Sequence, residues 1–211
     1  MKFILQDITN IKKENIILTI KKSDSRKKLL RWIYEVITDF EYSSITFTRS
    51  IFILDKYVQK KGMTHENYQL IGISSLFVAA KYEEPKILKV EDYVIVTDNT
   101  FTKEQILEME IEILKIFDFS LNFPLPYDYV KPEELNKLDV KLTDKEKRAL
   151  IYGIIAYSLE KEDRCEGAYI IYLKALRMLN DLLYYGMDKD ISFYLSNVID
   201  YQCLKVFSAK Y

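Results

Sequence analysis

The stretch from Leu70 to Ala80 most constrains what this chain can fold into, because it carries no charged residue on any face. A helix that is apolar all round must be enclosed by other protein. The chain has no apolar run of about 18 residues, the length that a membrane span needs. Small side chains in the stretch let neighbouring helices approach closely; they are Gly72, Ser74, Ser75, Ala79 and Ala80. The pattern predicts a buried helix over 65–82 at the centre of a helical bundle.

Apolar residues recur at three- and four-residue spacing on both sides of this stretch, which predicts amphipathic helices. Asp24 is a predicted N-cap, and Thr102 with Gln105 and Thr143 with Glu146 are capping boxes. Five glycines and four prolines are too few for a many-stranded protein. The fold class predicted is therefore all-α. The predicted helices cover 25–40, 44–59, 65–82, 90–96, 102–117, 126–137, 143–160, 164–180 and 189–207.

The segment Asn122-Phe123-Pro124-Leu125-Pro126 interrupts the helical periodicity, since each proline disfavours helical geometry in the residue before it. Two blocks of helices flank this segment, and each has an apolar middle helix, predicted at 65–82 and 164–180. We therefore predict an N-terminal extension over 1–22, a first domain over 23–121 and a second over 122–211, the two domains sharing one architecture.

The residue types needed for chemistry are scarce. Cys165, Cys203 and His65 are too few ligands for a four-ligand zinc site, and no glycine-rich phosphate loop or nucleophile elbow is present. His65 is interpreted as a capping or surface residue at a helix start. Glu83 and Glu84 are adjacent on a helix and point in different directions, which favours a solvated helix end over a catalytic carboxylate pair. No catalytic residue, metal or cofactor is predicted, and no cleavable signal region is found, so a reduced intracellular compartment is expected.

Charge is balanced overall but not along the chain. Lys and Arg number 31 against 32 Asp and Glu, a net charge of -1, which argues against non-specific nucleic-acid binding. Residues 1–31 hold nine Lys or Arg against three acidic residues, so their local charge is +6 and the rest of the chain sums to -7. This basic segment is either a solvated helix face or a surface that attracts an acidic or phosphorylated partner.

Lys81 and Glu110 are the two charges placed most unusually. Lys81 ends the charge-free helix, and Glu110 interrupts the apolar middle of the fifth predicted helix. They either form an ion pair within the bundle or present their charges on an apolar rim, where they would bond the backbone of another protein.

Five blocks of sequence, in order and at matching spacing, resemble the cyclins, most closely the mitotic A/B type. The resemblance is dense from Arg26 to Pro126, and it extends over the second half only through helix count and the apolar third helix. The blocks are Arg26-x-x-Leu29-x-x-Trp32-x-x-Glu35-Val36, Ile53-Leu54-Asp55-Lys56-Tyr57, Gln69-Leu70-Ile71-Gly72-x5-Val78-Ala79-Ala80-Lys81-Tyr82-Glu83-Glu84, Val90-Glu91-Asp92-Tyr93-x3-Thr97-Asp98 and Phe101-Thr102-Lys103-x-Gln105-Ile106-Leu107-x-Met109-Glu110-x3-Leu114-x4-Phe119-x-Leu121.

The resemblance implies two tandem five-helix cyclin boxes, each with a buried central helix, that bind and activate a cyclin-dependent protein kinase in cell-cycle control. Such a chain is not itself an enzyme. It also implies that Lys81 and Glu110 bond the backbone of the kinase and that Tyr82, Glu83 and Phe119 share this kinase-binding surface. The positions implied to support the surface are Arg26, Asp55 and Leu70.

The family's substrate-docking groove is altered in this sequence. It usually begins Met-Arg-Ala-Ile-Leu, whereas residues 25–29 read Ser-Arg-Lys-Lys-Leu, and Tyr68 replaces a smaller aliphatic residue. The resemblance therefore implies a groove with changed specificity for kinase substrates or inhibitors. Its predicted residues are Leu29, Trp32, Glu35, Gln69, Ser25 and Lys28.

Two short patterns near the N-terminus resemble degradation signals of the mitotic cyclins. Lys2-x-x-Leu5-x-x-Ile8-x-Asn10 is similar to a destruction box, and Lys13-Glu14-Asn15 spells a KEN motif. They imply recognition by the ubiquitin-ligase machinery, and the family implies residence in nucleus and cytoplasm. The alternative is a general transcription factor of the TFIIB kind, which shares the double fold but binds promoter DNA. The negative charge after residue 31 argues against it.

Overall fold

The computed structural model describes residues 22–131, 133, 143–161, 167–185 and 189–195. All regular secondary structure in these ranges is helical, which confirms the all-α prediction for the part described. No helix there is long and apolar enough to cross a membrane. The helices are α1 Lys22–Asp39, α2 Ser44–Lys61, α3 Tyr68–Glu83, α4 Val90–Val96, α5 Lys103–Ile116, α6 Asp144–Lys161, α7 Ala168–Tyr185 and α8 Lys189–Leu195, with a 3₁₀ turn Pro126–Tyr129 between α5 and α6.

Helix α3 is the central helix of the first half, as its lack of charge predicts. Every residue over 71–80 is buried, and α1, α2, α4 and α5 all pack against it. Gly72 shows why a small residue is needed here: a Cβ at this position would lie 3.0 Å from Leu29 Cδ1 and 3.3 Å from Ile33 Cδ1. The absence of a side chain therefore allows α1 to lie directly against α3.

Capping chemistry sets the starts of α5 and α6 where the sequence predicts them. Thr102 N donates to Gln105 Oε1 at 2.8 Å, and Gln105 N donates back to Thr102 Oγ1. Thr143 N and Glu146 Oε2 are 2.7 Å apart in the matching arrangement before α6. Because such boxes need only residues within one turn, sequence spacing is sufficient to find them.

Three predicted boundaries are wrong. Helix α1 begins at Lys22, so Asp24 lies within the helix and is not its cap. Helix α3 begins at Tyr68, because Thr64 and Asn67 exchange side-chain bonds with each other's backbone in the preceding turn. After Pro126 the chain forms a 3₁₀ turn that ends at Tyr129, in place of the start of a helix over 126–137.

Among the described helices of the second half, α6 is the most buried, not the helix predicted over 164–180. The charges at the start of α6 end at Arg148, and the ten residues that follow Ala149 are buried except for the half-buried Tyr152. Helix α7 begins at Ala168 and leaves Tyr169, Ile170 and Leu173 exposed. Helix α6 therefore joins the two halves, since it packs against α1 and α2 on one side and against α7 and α8 on the other.

Candidate functional site

Lys81 and Glu110 form an ion pair where the last turn of α3 meets the middle of α5. Lys81 Nζ lies 2.7 Å from Glu110 Oε1 and 2.9 Å from Oε2. The Glu110 side chain is 11% exposed and the Lys81 side chain 40% exposed. The ammonium also lies 4.2 Å from the centroid of the Phe77 ring. An ammonium has three donors and Glu110 accepts two bonds, so Lys81 keeps a donor for a further acceptor at the surface.

Two large apolar side chains are exposed at the ends of the two helices that carry this ion pair. Tyr82, the next residue after Lys81, is 48% exposed, and Phe119, just after α5, is 69% exposed. Asp118 and Phe119 both have left-handed backbone, with φ of 49° and 57°. Non-glycine residues with such φ cost about 1 kcal/mol or more each, and this cost persists only where the surroundings impose the conformation. These two conformations belong to the turn that follows α5 and that carries the exposed Phe119.

The carboxylates of Glu83 and Glu84 are bonded to α2 and its N-cap, so the prediction of a solvated helix end is wrong. Glu83 accepts a hydrogen bond from Arg49 Nε. Glu84 Oε1 accepts from Ser43 N at 2.8 Å and from Ser43 Oγ at 2.9 Å, and it is also bonded by Thr46 Oγ1. The two side chains diverge, as adjacent helical residues must, but each meets a partner that only the packing of α3 on α2 brings within reach.

Arg49 of α2 is a residue of this region that the sequence reasoning missed. It is 8% exposed, and its guanidinium lies 4.3 Å from the Tyr82 ring centroid and 5.0 Å from that of Phe123. Its Nη1 donates to the carbonyl oxygen of Leu121. The signal that could have found Arg49 is a charge in the interior of an apolar helix, between Phe47 and Ile51, because buried charges are paired or functional.

Arg26 and Asp55 form a buried bidentate ion pair between α1 and α2. Nη2 of Arg26 lies 2.7 Å from Oδ2 of Asp55, and Nε lies 3.2 Å from Oδ1. The remaining nitrogen, Nη1, donates to the carbonyl oxygen of Leu159 on α6. The pair thus also joins α1 to the second half. Leu70 is half-buried and packs against the core.

Glu160, which the sequence reasoning also missed, accepts bonds from both halves although its side chain is fully buried. Arg31 of α1 bonds it through Nε at 2.7 Å and Nη2 at 3.2 Å, and Lys27 Nζ lies 3.4 Å away. Tyr194 of α8 donates its hydroxyl at 2.7 Å, and burial together with the Glu160 carboxylate raises the pKa of Tyr194 above its ordinary value. Part of the basic segment's charge is therefore balanced within the molecule.

The predicted docking-groove residues differ in burial. Leu29, Trp32 and Gln69 are buried, and the Nε2 atom of Gln69 has no hydrogen-bond acceptor in the part described. Ser25 and Glu35 are half-buried, and burial, with the nearby Asp39 carboxylate, raises the pKa of Glu35. Lys28 is exposed at the edge of this group.

Several sequence predictions lie outside the described residues. These are the degradation-signal candidates Leu5, Lys13, Glu14 and Asn15, the two cysteines Cys165 and Cys203, and the predicted helical turns beyond Leu195.

Comparison with known proteins places the described blocks in a family. The family model "Cyclin, N-terminal domain" matches residues 2–122. Cyclin-B2-1 of Oryza sativa subsp. japonica is 34% identical over 134 residues, covering 64% of this chain and 31% of that protein. G2/mitotic-specific cyclin-B1 of Caenorhabditis elegans is 40% identical over 99 residues, covering 47% of this chain and 27% of that protein.

The match spans less than a third of each of these two relatives' own length. Among solved structures, a viral cyclin from herpesvirus saimiri aligns with a TM-score of 0.61 and covers 89% of this chain and 86% of its own. Its sequence identity to this chain is 22%, so this likeness shows a shared fold and nothing further.

Proposed function

Because the chain belongs to the cyclin family, with relatives among the mitotic cyclins, we propose that it binds and activates a cyclin-dependent protein kinase. The observation that carries the proposal is the Lys81–Glu110 ion pair, together with the exposed Tyr82 and Phe119 at the ends of the same two helices. Cyclins are regulatory subunits and not enzymes. The work assigned to this chain is to bind the active arrangement of the kinase more tightly than the inactive one and so to shift its population.

The chemistry of this surface suits recognition of a backbone. Lys81 offers a hydrogen-bond donor, and Glu110 offers carboxylate oxygens with remaining lone pairs. The 2.7 Å bond between Lys81 Nζ and Glu110 Oε1 orients both side chains. Tyr82 and Phe119 supply aromatic area of the kind enriched at protein interfaces. Charge-assisted bonds within an apolar surround gain strength when the partner excludes water.

The test is a double substitution, Lys81→Ala with Glu110→Ala, which removes the pair without leaving an unpaired buried charge. An activating interface buries on the order of 2,000 Å² or more, so single changes are easily masked. We expect affinity for the kinase to fall at least tenfold and the kinase's activity toward a histone-type substrate to fall in parallel. The measurements are titration of the purified kinase and a phosphorylation assay.

The matched control removes another ion pair of the same length on an exposed surface, Lys103→Ala with Glu91→Ala, whose atoms are 2.7 Å apart. This control should bind the kinase as the wild type does. Wild-type affinity in the Lys81 and Glu110 variant would contradict the assigned surface. A wild-type chain that binds no such kinase but retards duplex DNA in a gel would favour the transcription-factor alternative.

We extend the proposal to the second half, which we assign to a second cyclin box. The viral cyclin aligns over 89% of the chain, and α6, α7 and α8 supply three of the five helices such a box needs. Residues 122–211 are proposed to support the first half through α6 rather than to contact the kinase first.

The remaining assignments of the mitotic resemblance are proposals of the same kind. The groove around Lys28 is proposed to dock substrates or inhibitors with altered specificity. Leu5 and Lys13-Glu14-Asn15 are proposed to mark the chain for a ubiquitin ligase, which the protein's lifetime with and without residues 1–15 would test. Residence in nucleus and cytoplasm follows from the same resemblance.

A further inference from the structure

Arg49 bonds two segments that together carry the proposed kinase-binding surface. Toward the end of α3, it donates to the Glu83 carboxylate and its guanidinium lies over the Tyr82 ring at 4.3 Å. Toward the chain after α5, it donates to the Leu121 carbonyl oxygen and lies 5.0 Å from the Phe123 ring centroid. One side chain of α2 therefore makes two contacts with each segment.

Both segments lie at a helix C-terminus, where the last carbonyl groups have no partner within the helix. Glu83 is the last residue of α3, and the segment 117–123 follows α5. Backbone hydrogen bonds of that segment are local, such as Phe119 N to Leu114 O at 2.9 Å and Phe123 N to Leu121 O at 3.0 Å. Its ties to other helices include the Arg49 bond to Leu121, the stacking of Phe123 on Phe52 at 6.2 Å between centroids, and the burial of the Leu121 side chain in the core.

We propose that Arg49 is a positioning residue for partner recognition, which joins Tyr82 and the segment carrying Phe119 into one pre-organised surface. This inference rests on the proposed kinase binding, since it concerns the same surface. Arg49 does not touch the partner, because it is 8% exposed and lies beneath Tyr82 and Phe123. Its effect is to remove conformational freedom before binding rather than to add a contact.

The proposal also changes the role of Glu83. Its side chain is 19% exposed and its carboxylate is already bonded to Arg49. We therefore assign Glu83 to holding the guanidinium between the two rings, where its charge offsets the desolvation of the arginine. The direct contacts on this surface are then Lys81, Tyr82, Glu110 and Phe119.

The experiment compares the full-length wild type with Arg49→Leu, Arg49→Lys and a control, Arg148→Leu, on the exposed start of α6. Affinity for a kinase that the wild type binds is measured by titration, and hydrogen exchange of the backbone amides is followed in the free chain. We expect Arg49→Leu to lower affinity about tenfold, the cost of ordering one or two side chains on binding. The affinity of Arg49→Lys should lie between those of Arg49→Leu and the wild type, because a lysine keeps the positive charge but not all the hydrogen bonds.

Hydrogen exchange separates positioning from general stability. We expect amides of 81–84 and 117–123 to exchange at least tenfold faster in Arg49→Leu, while the buried amides of α6 keep wild-type protection. Equal loss of protection in α6 would show a general structural role and overturn the proposal. Wild-type affinity with wild-type exchange would overturn it as well.

The experiment also covers a variant that does not fold and a wild type that does not bind. If Arg49→Leu does not fold, Glu83→Gln keeps the volume and weakens the charge-assisted bond, and the same segmental exchange is expected to rise; unchanged exchange there overturns the proposal. If the wild type binds no cyclin-dependent kinase, the proposed function fails, while the exchange of 81–84 and 117–123 still decides whether Arg49 joins the two segments.

Discussion

Three buried charged side chains, Arg26, Arg49 and Glu160, each find their partners across a boundary between helices. A buried charge is tolerated when its hydrogen-bonding groups are met, and removing a single partner leaves the other charge unsatisfied. Each of these side chains therefore fixes the relative position of the segments that it joins.

If the groove around Trp32 docks substrates, the exposed side chain of Lys28 sets which peptides it accepts. It lies on the edge of the α1 face that holds Leu29 and Trp32. In the proposed groove, its positive charge would lie beside the position where substrates of the family offer a basic residue before an aliphatic one. Like charges at short range lower affinity, and a missing apolar groove side chain removes roughly 1.5 to 3 kcal/mol of burial.

We predict weak binding of Arg-x-Leu peptides by the wild type, at least tenfold below a standard mitotic cyclin, with a relative preference for peptides carrying acidic or phosphorylated residues. The double substitution Lys28→Ile with Ser25→Met should restore Arg-x-Leu binding. Fluorescence titration with one basic and one acidic peptide measures both effects. Lys86→Ile, at an exposed position between α3 and α4, serves as the control for adding an apolar residue elsewhere. Tight Arg-x-Leu binding by the wild type would refute the altered specificity.

At the scale of elements, Glu84 connects the end of α3 to the start of α2. Ser43 is the N-cap of α2, and its own side chain accepts from Thr46 N at 3.3 Å. Glu84 then accepts from the backbone and the hydroxyl of Ser43. A carboxylate at a helix N-terminus is also favoured by the helix dipole. The Glu84 side chain, which belongs to neither helix, therefore fixes the end of α3 relative to the start of α2.

Glu84→Ala should destabilise the fold by about 1 to 2 kcal/mol, because the cap of α2 loses its charged acceptor. Glu84→Gln keeps an acceptor oxygen and should lose less. Urea unfolding followed by circular dichroism measures the free energy of unfolding in each variant. The control is Glu66→Ala, an exposed acidic residue in the turn before α3. Equal effects of Glu84→Ala and Glu66→Ala would mean that the cap bonds contribute nothing to stability.

At the scale of the whole molecule, Glu160 holds the two halves together. Arg31 and Lys27 reach it from α1, and Tyr194 reaches it from α8. Tyr34 of α1 in turn donates its hydroxyl to the Tyr194 carbonyl oxygen at 2.8 Å. The first and last described helices are therefore bonded through the end of α6, so the halves are expected to unfold as one unit.

We expect Glu160→Ala to lower the free energy of unfolding by about 1 to 3 kcal/mol, since it leaves the buried Tyr194 hydroxyl and the partly exposed Arg31 guanidinium without their acceptor. Combining it with Arg31→Ala should cost less than the sum of the single changes, with a coupling of at least about 0.5 kcal/mol. Denaturant unfolding of the four proteins in this cycle supplies the numbers. The same cycle on the exposed pair Lys103 and Glu91 should show no measurable coupling. Strict additivity at Glu160 would contradict its role as a link.

Features that depend on residues within one or two helical turns could be predicted from the amino-acid sequence alone. Thr102 with Gln105 and Thr143 with Glu146 cap their helices as predicted, because both partners of each box lie three residues apart. The burial of α3 could be predicted in the same way, since a helix without charged residues has no polar face to expose to solvent. The ordered blocks of sequence around Lys81 and Glu110 indicated the cyclin family.

Contacts between distant side chains could not be predicted, because they depend on how the helices pack. Arg49 and Glu83 are 34 residues apart, and Arg31 and Glu160 are 129 residues apart, so no local spacing relates them. Periodicity shows that a residue lies on an inward face but not which neighbour it meets there. The same limit explains why α6 rather than α7 is the buried helix of the second half. Burial there depends on how both helices pack against α1 and α2, and that packing is a property of the assembled chain.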